Sequence, residues 1–506
     1  MKVINSKVLC YDDYSDYVVL FLLNGVGMVL ELVASRLMSP YFGNSNFVWT
    51  AIIGIILLAG SLGNLIGGRL AVSRNARGWA MLFLLFAAIY IILTPLVNAP
   101  ILYAISEGGM GVQVSSVIGS VVFFLIPSTL LGVITPIIMK ERIGEGRDKG
   151  KESGRITALI AIGSLVGTFA GGFFLIPSLG TKGIFVLLGI LIIITVVFMR
   201  PWRREYGLRF GLTFFSTFLF AVLMSVFAAV MLVNDQSSGS ISIDTEYGRV
   251  IVEDGTYEGN AVRFYRQSGA YSSATFLDEK KKYELVFEYL DKYDEMFNFT
   301  DVDEVAMIGG AAYQYPKYYI SHFKDKKMDV IEIDPEATRI AKQYFFLGDL
   351  IEDYGEDRLG LYNEDGRVFF TNTSKKYDVV LNDAFSGEVP VGTLATREAV
   401  EVIKSRLNKD GVYMSNVLGA AEGDKSIFLK AEVNTMSKVF KYVYVVSVYE
   451  QPRLDKVLNW VVIATDNDKY QPENTIDLDV SESIVLTDDY NPVEMIVNGW
   501  KETSDN

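Results

Sequence analysis

The chain of 506 residues has one cysteine, Cys10, and one histidine, His322. A disulfide framework is excluded, and so is a metal centre built from Cys and His ligands; no metal is expected. A Cys–His or Ser–His nucleophile pair would have to use His322, which lies in the connection Ser321-His322-Phe323-Lys324 and reads as a surface residue. Basic residues are also short: 46 Lys and Arg stand against 60 Asp and Glu, for a net charge of −14. The imbalance is uneven. Residues 1–233 hold 17 basic and 10 acidic side chains, a net of +7, and the remainder hold 29 and 50, a net of −21. An acidic second half is a poor match for nucleic acid, whose phosphates call for clustered Lys and Arg, so no nucleic-acid partner is expected. Its charge serves solubility or the binding of cationic ligands.

What is abundant is apolar sequence. Hydrophobic residues make up 50% of the chain and the mean hydropathy is +0.27. This weight falls almost wholly before residue 233, and 506 residues are too many for one core. About seven apolar stretches are long enough to cross a bilayer: 17–38, 47–70, 79–98, 112–139, 156–178, 183–199 and 211–233. The first is too long for a signal peptide and is preceded by Asp12, Asp13 and Asp16. Pro127 and Pro136 are expected to bend the fourth. Glycines at four-residue spacing, Gly63/Gly67 and Gly163/Gly167/Gly171, predict close helix packing in lipid, hence a multi-pass bundle in the cell membrane. Glu31 is the one acidic residue deep in a span, and reads either as functional or as a carboxyl joining two helices by a hydrogen bond.

Connections near 69–78, 140–155 and 200–209 are basic, whereas those near 39–46 and 99–111 carry no Lys or Arg. By the positive-inside rule the N-terminus is inside, and an odd span count puts the C-terminal domain on the extracytoplasmic side. The Gly63–Leu70 stretch resembles a transporter loop motif, but few intramembrane charges and no inverted halves speak against transport.

The second half has two patterns. Residues 240–277 alternate apolar and polar around Asp254-Gly255 and Glu258-Gly259-Asn260, which predicts a small antiparallel β-sheet. Asp278–Tyr293 has helical periodicity. From 302 onward strands alternate with helices: Glu304–Ile308, Met328–Asp334, Leu359–Asn363, Tyr377–Asp383 and Gly411–Asn416. That alternation predicts a Rossmann-like parallel sheet, with ligands at the carboxyl ends of its strands. The expected domains are therefore 1–233, 240–277 and 278–506.

Four strand ends carry Gly309-Gly310, Glu332, Asp365-Gly366 and Asp383, and these would converge on one rim. Together they describe a nucleoside site. Glycines admit the ligand to the backbone, a carboxylate at the second strand end takes both ribose hydroxyls, and a further Asp meets the adenine edge. Ala311, Ala312 and Tyr313 stand where more glycine would favour a dinucleotide, so the class is an adenosyl-cofactor transferase fold.

Residues 240–500 resemble spermidine synthase (polyamine aminopropyltransferase), and the whole chain resembles the membrane-fused branch of that family. The likeness extends to Leu30–Leu37, Gly63–Arg69 and Leu486–Glu494. The resemblance implies that Gly309-Gly310 opens the cofactor loop and that Glu332 binds the ribose of decarboxylated S-adenosylmethionine or of methylthioadenosine. It implies further that Asp365-Gly366 faces the adenine, that Ser273 stands at the Gln meeting the nucleoside, and that Asp383 is the proton acceptor. The acceptor would be a small amine, held by Glu284 and by the acidic segment Asp488-Asp489-Tyr490. Departures fall on that side. The family's Tyr-His-Glu reads Lys282-Tyr283-Glu284, its polyamine-side Asp is Ala312, and a second Asp is Ser386; Lys282, if inward, would repel a diamine. Aminopropyl transfer from decarboxylated S-adenosylmethionine is thus one implied activity, with an altered acceptor site. Methyl transfer from S-adenosylmethionine in the same fold is an alternative, as is a non-enzymatic membrane sensor or transporter with a degenerate domain. Acceptor identity and homo-oligomerisation stay open. So does a conflict of sides, because adenosyl sulfonium compounds are cytoplasmic while the loop charges point outward.

Overall fold

The structure, a computed structural model, describes residues 5–497 apart from 44, 109, 145–147, 200–206, 235–239, 268 and 387–388. It divides into two compact units, Met1–Ser238 and Gly239–Asn506.

The first unit is helical. Among the described residues, seven helices are long and apolar enough to cross a membrane: α1 Tyr14–Phe42, α2 Asn46–Leu70, α3 Ala76–Ser106, α4 Gly111–Ile143, α5 Lys149–Leu175, α6 Ser178–Phe198 and α7 Phe210–Met231. The stretches expected from the sequence fall on these helices, which run on at several ends, by eight residues at the C-terminus of α3. The glycine stripes mark close backbone contact. A Cβ at Gly63 or Gly67 would collide with the backbone of Thr129 or Val133 in α4, and one at Gly163 or Gly167 with Phe21 or Gly25 in α1. In α4 the helix widens to five-residue hydrogen bonding over Val121–Leu125, ahead of Pro127, where the proline lacks a donor. Glu31 is half-buried and makes no hydrogen bond or ion pair among the described residues, so the expected hydrogen bond between helices is not found. Some of the basic loop charges prove to be structural. Arg77 and Arg142 close on Asp16 at 2.6 and 2.7 Å, and Arg77 also meets Glu141 at 2.8 Å. Arg147, Arg200, Arg203 and Arg204 lie outside the described residues.

The second unit opens with an antiparallel sheet in the order β1 Ile241–Asp244, β2 Arg249–Tyr257, β3 Asn260–Gln267, β4 Ala270–Phe276. Glu258 and Gly259, both at positive φ, make the two-residue turn between β2 and β3. The helix expected over Asp278–Tyr293 is corrected: turns fill most of the stretch, and a 3-10 helix covers Glu288–Glu295. Leu290 and Tyr293 are its buried residues, and their spacing of three is the 3-10 period.

A sheet of eight strands follows, in the order β14-β12-β13-β11-β8-β5-β6-β7. Its parallel part is β5 Glu304–Ile308, β6 Lys327–Ile331, β7 Leu359–Tyr362, β8 Tyr377–Asn382 and β11 Leu407–Gly419. A two-stranded ribbon, β9 Phe385–Ser386 with β10 Val389–Pro390, stands apart. The sheet is mixed where a parallel one was expected, because β12 Tyr442–Ser447, β13 Leu458–Thr465 and β14 Thr475–Ile476 add antiparallel. The connection between β12 and β13 contains no helix, and a parallel pairing would need a crossover. The central strands are buried on both faces, which explains their unbroken apolar runs.

Among the described residues of this unit, six helices have seven residues or more: α8 Gln314–His322, α9 Pro335–Tyr344, α10 Leu347–Tyr354, α11 Gly366–Asn372, α12 Arg397–Ser405 and α13 Ile427–Ser437. Asp334, Asp365 and Thr396 cap α9, α11 and α12 by accepting from Glu336, Val368 and Ala399. The strand order reverses at β5, which has β6 on one side and β8 on the other; in such sheets ligands bind outside the strand ends at that reversal.

Candidate active site

The two sides of the reversal touch. Gly309 follows β5 with φ +92°, and a Cβ there would lie 2.6 Å from the carbonyl oxygen of Asp383, which follows β8. Asp383 N–H donates to the Ile308 carbonyl at 2.9 Å. Only glycine fits this turn, because the backbone after β8 fills the space a side chain would need.

Glu332, at the end of β6, holds the turn in place. Its Oε2 accepts from Gly310 N–H at 2.7 Å and Ala311 N–H at 2.9 Å, and its Oε1 from Asp334 N–H at 3.0 Å. The residue is 8% exposed. Burial raises its pKa, and the three backbone donors pull it part of the way back. A carboxylate offers about four acceptor positions. Three are filled, which leaves one for a further donor. The loop carries further strain: Ala311 and Tyr313 adopt left-handed backbone at φ +46° and +55°. The Tyr313 hydroxyl is pinned to Thr338 Oγ1 at 2.8 Å, and Asn363 Nδ2 donates to the same oxygen. Asp365 turns its carboxylate onto Val368 N–H, and Gly366 is packed against Ile308, whose Cγ2 a Cβ would meet at 2.6 Å. Tyr247, in the turn between β1 and β2, belongs to this end. Burial, then the negative charges of Glu246, Asp334, Asp365 and Glu332, raise its hydroxyl pKa.

At the other end Asp383 is half-buried. Its Oδ2 accepts from Tyr289 O–H at 2.9 Å and its Oδ1 from Asn416 Nδ2 at 2.8 Å. Asn459 Nδ2 in turn donates to Asn416 Oδ1 at 2.9 Å, which fixes the amide's orientation. Burial raises the Asp383 pKa above the ordinary carboxylate value, and the Asn416 and Tyr289 hydrogen bonds oppose it. A carboxylate so held can take a proton from an amine within hydrogen-bond reach.

Gly309, Gly310, Glu332, Asp365, Gly366 and Asp383 are therefore arrayed along the strand ends, whereas other sequence candidates lie elsewhere. Lys282 points to α10, 3.1 Å from Asp349 and 3.7 Å from Asp353, so it sets no positive charge beside Asp383. The Tyr283 hydroxyl bonds Asp353 at 2.7 Å. Glu284 sits 3.4 Å from His322, at the end of α8 remote from the glycine turn. The Lys282-Tyr283-Glu284 tripeptide thus does not reach Asp383; from this part of the chain Tyr289 does. Asp488 is bound bidentately by Arg367, at 2.7 and 2.5 Å, and by Thr396 at 2.8 Å. The Arg367 bonds hold its pKa below the usual carboxylate value, so it clamps the C-terminal segment to α11 and α12. Asp489 and Tyr490 are exposed. Ser273 is buried on β4 opposite Tyr265, and Ala312 is buried among Val250, Val252 and Tyr265. The Ser386 side chain lies outside the described residues. Among the described residues no group of three His, Cys, Asp or Glu is placed to hold a metal. Tyr247, Tyr289, Asn416 and Asn459 escaped the sequence reading as site residues; the available signal was the polar Asn416 in the buried part of β11.

Residues 292–474 match the spermine/spermidine synthase domain family, so the C-terminal half carries a domain of that kind. A polyamine aminopropyltransferase of Vibrio vulnificus is 26% identical over 151 residues, covering 27% of this chain and 48% of that protein. Polyamine aminopropyltransferase 2 of Pseudomonas aeruginosa is 26% identical over 202 residues, covering 40% and 55%. The chain thus spans about half the length of these curated relatives. Among solved structures, a probable spermidine synthase from Corynebacterium glutamicum aligns with TM-score 0.39 and 18% identity over 52% of this chain and 94% of that one.

Proposed function

We propose that the soluble unit transfers an aminopropyl group from decarboxylated S-adenosylmethionine to a small amine, and that the seven helices anchor it in a lipid bilayer. The observation that carries the reading is the apposition of a Cβ-intolerant, Glu332-braced glycine turn with Asp383 across the sheet reversal. In this reading the nucleoside lies over the glycine turn, and Glu332 keeps one acceptor position for a ribose hydroxyl. Asp365 and Tyr247 flank the adenine end, and Ser273 lines the small sheet behind it.

In the reaction the acceptor nitrogen uses its lone pair to attack the carbon beside the sulfonium. The carbon–sulfur bond breaks, its electrons neutralise the sulfur, and methylthioadenosine departs. The N–H proton passes to Asp383, which Tyr289 and Asn416 aim and Asn459 steadies. Domain limits at 1–233, 240–277 and 278–506 suit this division of labour. The test is turnover by the full-length protein in detergent, read as methylthioadenosine formed from decarboxylated S-adenosylmethionine and an amine. Absence of product with every amine offered overturns the reading.

Loop charges favour an extracytoplasmic position for the C-terminal domain, under which its donor, a cytoplasmic compound, would have to be delivered across the bilayer. With Arg77 and Arg142 committed to Asp16, the count rests on fewer free charges than the sequence suggested. A reporter active only in the cytoplasm, fused after Asn506, is expected to be silent; activity reverses the orientation.

A further inference from the structure

In the helical unit one stripe of α1 meets α4 at both ends and stands off it in the middle. Asp16, Asn24, Gly27, Glu31, Ser35 and Met38 fall within a stripe about 100° wide on α1. Asp16 pairs with Arg142 of α4 at 2.7 Å, and the Met38 sulfur accepts from the Ser120 hydroxyl at 3.7 Å. Asp16 and Met38 are 22 positions apart, as are Ser120 and Arg142, so the two helices run antiparallel in step. Glu31 then comes level with Pro127 and Ser128. Asp16, Ser35 and Met38 are buried, whereas Asn24, Gly27 and Glu31 between them are half-buried. A Cβ at Gly27, one turn before Glu31, would meet nothing within 4 Å. Glu31 therefore lies on an open stretch between α1 and α4.

The neighbouring helices change form at this level. α4 widens at Val121–Leu125 and α5 at Ala170–Leu175, each within a Phe-Phe-Leu-Ile-Pro-Ser sequence, at 123–128 and 173–178. Gly163 and Gly167 of α5 pack on Phe21 and Gly25, which makes Phe173 level with Glu31 as well. Wide turns inside helices recur at functional sites. The wide turn of α4 also sets where Ser128 faces. Eight residues of regular helix would rotate it about 80° from Ser120, and one extra residue in a turn removes about 100°. Ser128 is thus returned nearly over Ser120, on the face that meets α1. Other hydroxyls in the spans bond the carbonyl four residues back, as those of Thr94, Thr129, Thr168 and Ser225 do. Ser128 is 8% exposed, and its hydroxyl has no partner among the described residues.

We propose that Glu31 and Ser128 form an intramembrane site for one monovalent cation, Glu31 supplying the balancing charge and Ser128 a second oxygen. A carboxylate unpaired in lipid is costly, and a cation held beside it neutralises the charge. Arg36, the next basic residue along α1, does not serve, because five positions turn it about 140° away from Glu31. An alkali metal ion and a primary ammonium share the required chemistry, one positive charge presented to oxygen atoms.

The test treats full-length protein in detergent with dicyclohexylcarbodiimide, an apolar reagent that condenses with carboxyl groups in lipid-like surroundings. Labelling at Glu31 is read by peptide mass spectrometry in sodium chloride, methylammonium chloride and, as the bulky control, choline chloride at equal ionic strength. Sodium or methylammonium is expected to slow the labelling at least fivefold relative to choline. Protection by sodium alone marks a metal-ion site, by methylammonium alone an ammonium site, and by both a site that demands only charge and small size. The protecting salt should raise the melting temperature of wild type and not of Glu31→Gln, and Ser128→Ala should need at least fivefold more of it for half-protection. Labelling that ignores both cations, no labelling of Glu31 in any salt, or unchanged protection in Ser128→Ala overturns the proposal. Should Ser128→Ala fail to fold, a thermal shift that wild type and Glu31→Gln share, or that neither shows, overturns it equally.

Discussion

Replacing Glu332 by alanine removes the acceptor of three backbone N–H groups, those of Gly310, Ala311 and Asp334, at 2.7, 2.9 and 3.0 Å. Hydrogen bonds to a charged partner contribute about 1.5–3 kcal/mol each, and a buried donor left without one costs about 1–3 kcal/mol. The void left by a glutamate side chain admits water, which recovers part of the loss for the three donors. A net destabilisation of about 1–3 kcal/mol then lowers the melting temperature of a unit this size by several degrees. Ligand affinity suffers separately. A ribose hydroxyl loses a charged acceptor worth about 1.5–3 kcal/mol, and since about 1.4 kcal/mol is tenfold, the Kd for methylthioadenosine should rise at least tenfold. Calorimetry on the full-length protein in detergent reads the affinity, and a thermal scan of the same sample reads the stability. Glu332→Gln, which keeps the shape and one oxygen, should fall between wild type and alanine. Methylthioadenosine binding within threefold of wild type in a folded Glu332→Ala protein would refute the placement of the nucleoside over this turn.

Three further outcomes follow from the same structure. Because burial raises the Asp383 pKa and the Tyr289 hydroxyl opposes that rise, turnover should fall on acidification through a limb above the ordinary carboxylate range. Tyr289→Phe should move that limb to higher pH, and an unmoved profile would separate Tyr289 from the reacting carboxylate. Glu432, buried on α13 with Ser415 O–H as its hydrogen-bond donor at 3.0 Å, is pushed up to about 7. A raised carboxylate favours the fold below its unfolded pKa, and that contribution is lost as pH climbs through 7. Glu432→Gln should accordingly gain thermal stability relative to wild type at pH 8.5 and not at pH 4.5; no pH dependence of the difference would show the carboxyl to be ordinary. In the helical unit, Gly163→Leu should lower the melting temperature in detergent sharply, because the new side chain meets the Phe21 backbone, whereas Gly172→Leu, with open space around it, should not. Similar values for both would remove the close contact of α5 with α1.

The central strands and their ends were legible because β5, β6 and β8 are mostly apolar and buried on both faces, and a polar or glycine residue stands out where such a run stops. The seven helices were legible for the same reason at greater length. What could not be read was set by contacts distant in sequence. Tyr289 reaches Asp383 across 94 positions, and Arg367 captures Asp488 across 121, so a carboxylate that looked free in the sequence is a clamp in the fold. Lys282 belonged to the same problem: its distance from Asp383 depends on the docking of α10, which no local pattern encodes. The stretch 278–293 misled because buried residues spaced three apart fit a 3-10 turn as well as an α-helix. The antiparallel β12–β14 addition follows from a connection without a helix, a fact of length that periodicity does not carry.

The central claim is that Asp383 accepts a proton during transfer of an aminopropyl group, and the direct measurement is mass spectrometry of the products formed by wild type and Asp383→Asn. Full-length protein in detergent would receive decarboxylated S-adenosylmethionine with an amine, and in parallel methyl-labelled S-adenosylmethionine with the same amine. The account predicts an aminopropylated amine and methylthioadenosine from wild type, at least a hundredfold less of both from Asp383→Asn, unchanged methylthioadenosine affinity in that variant, and no methylated amine. Full turnover by Asp383→Asn, or a methylated amine in place of the aminopropylated one, would contradict it.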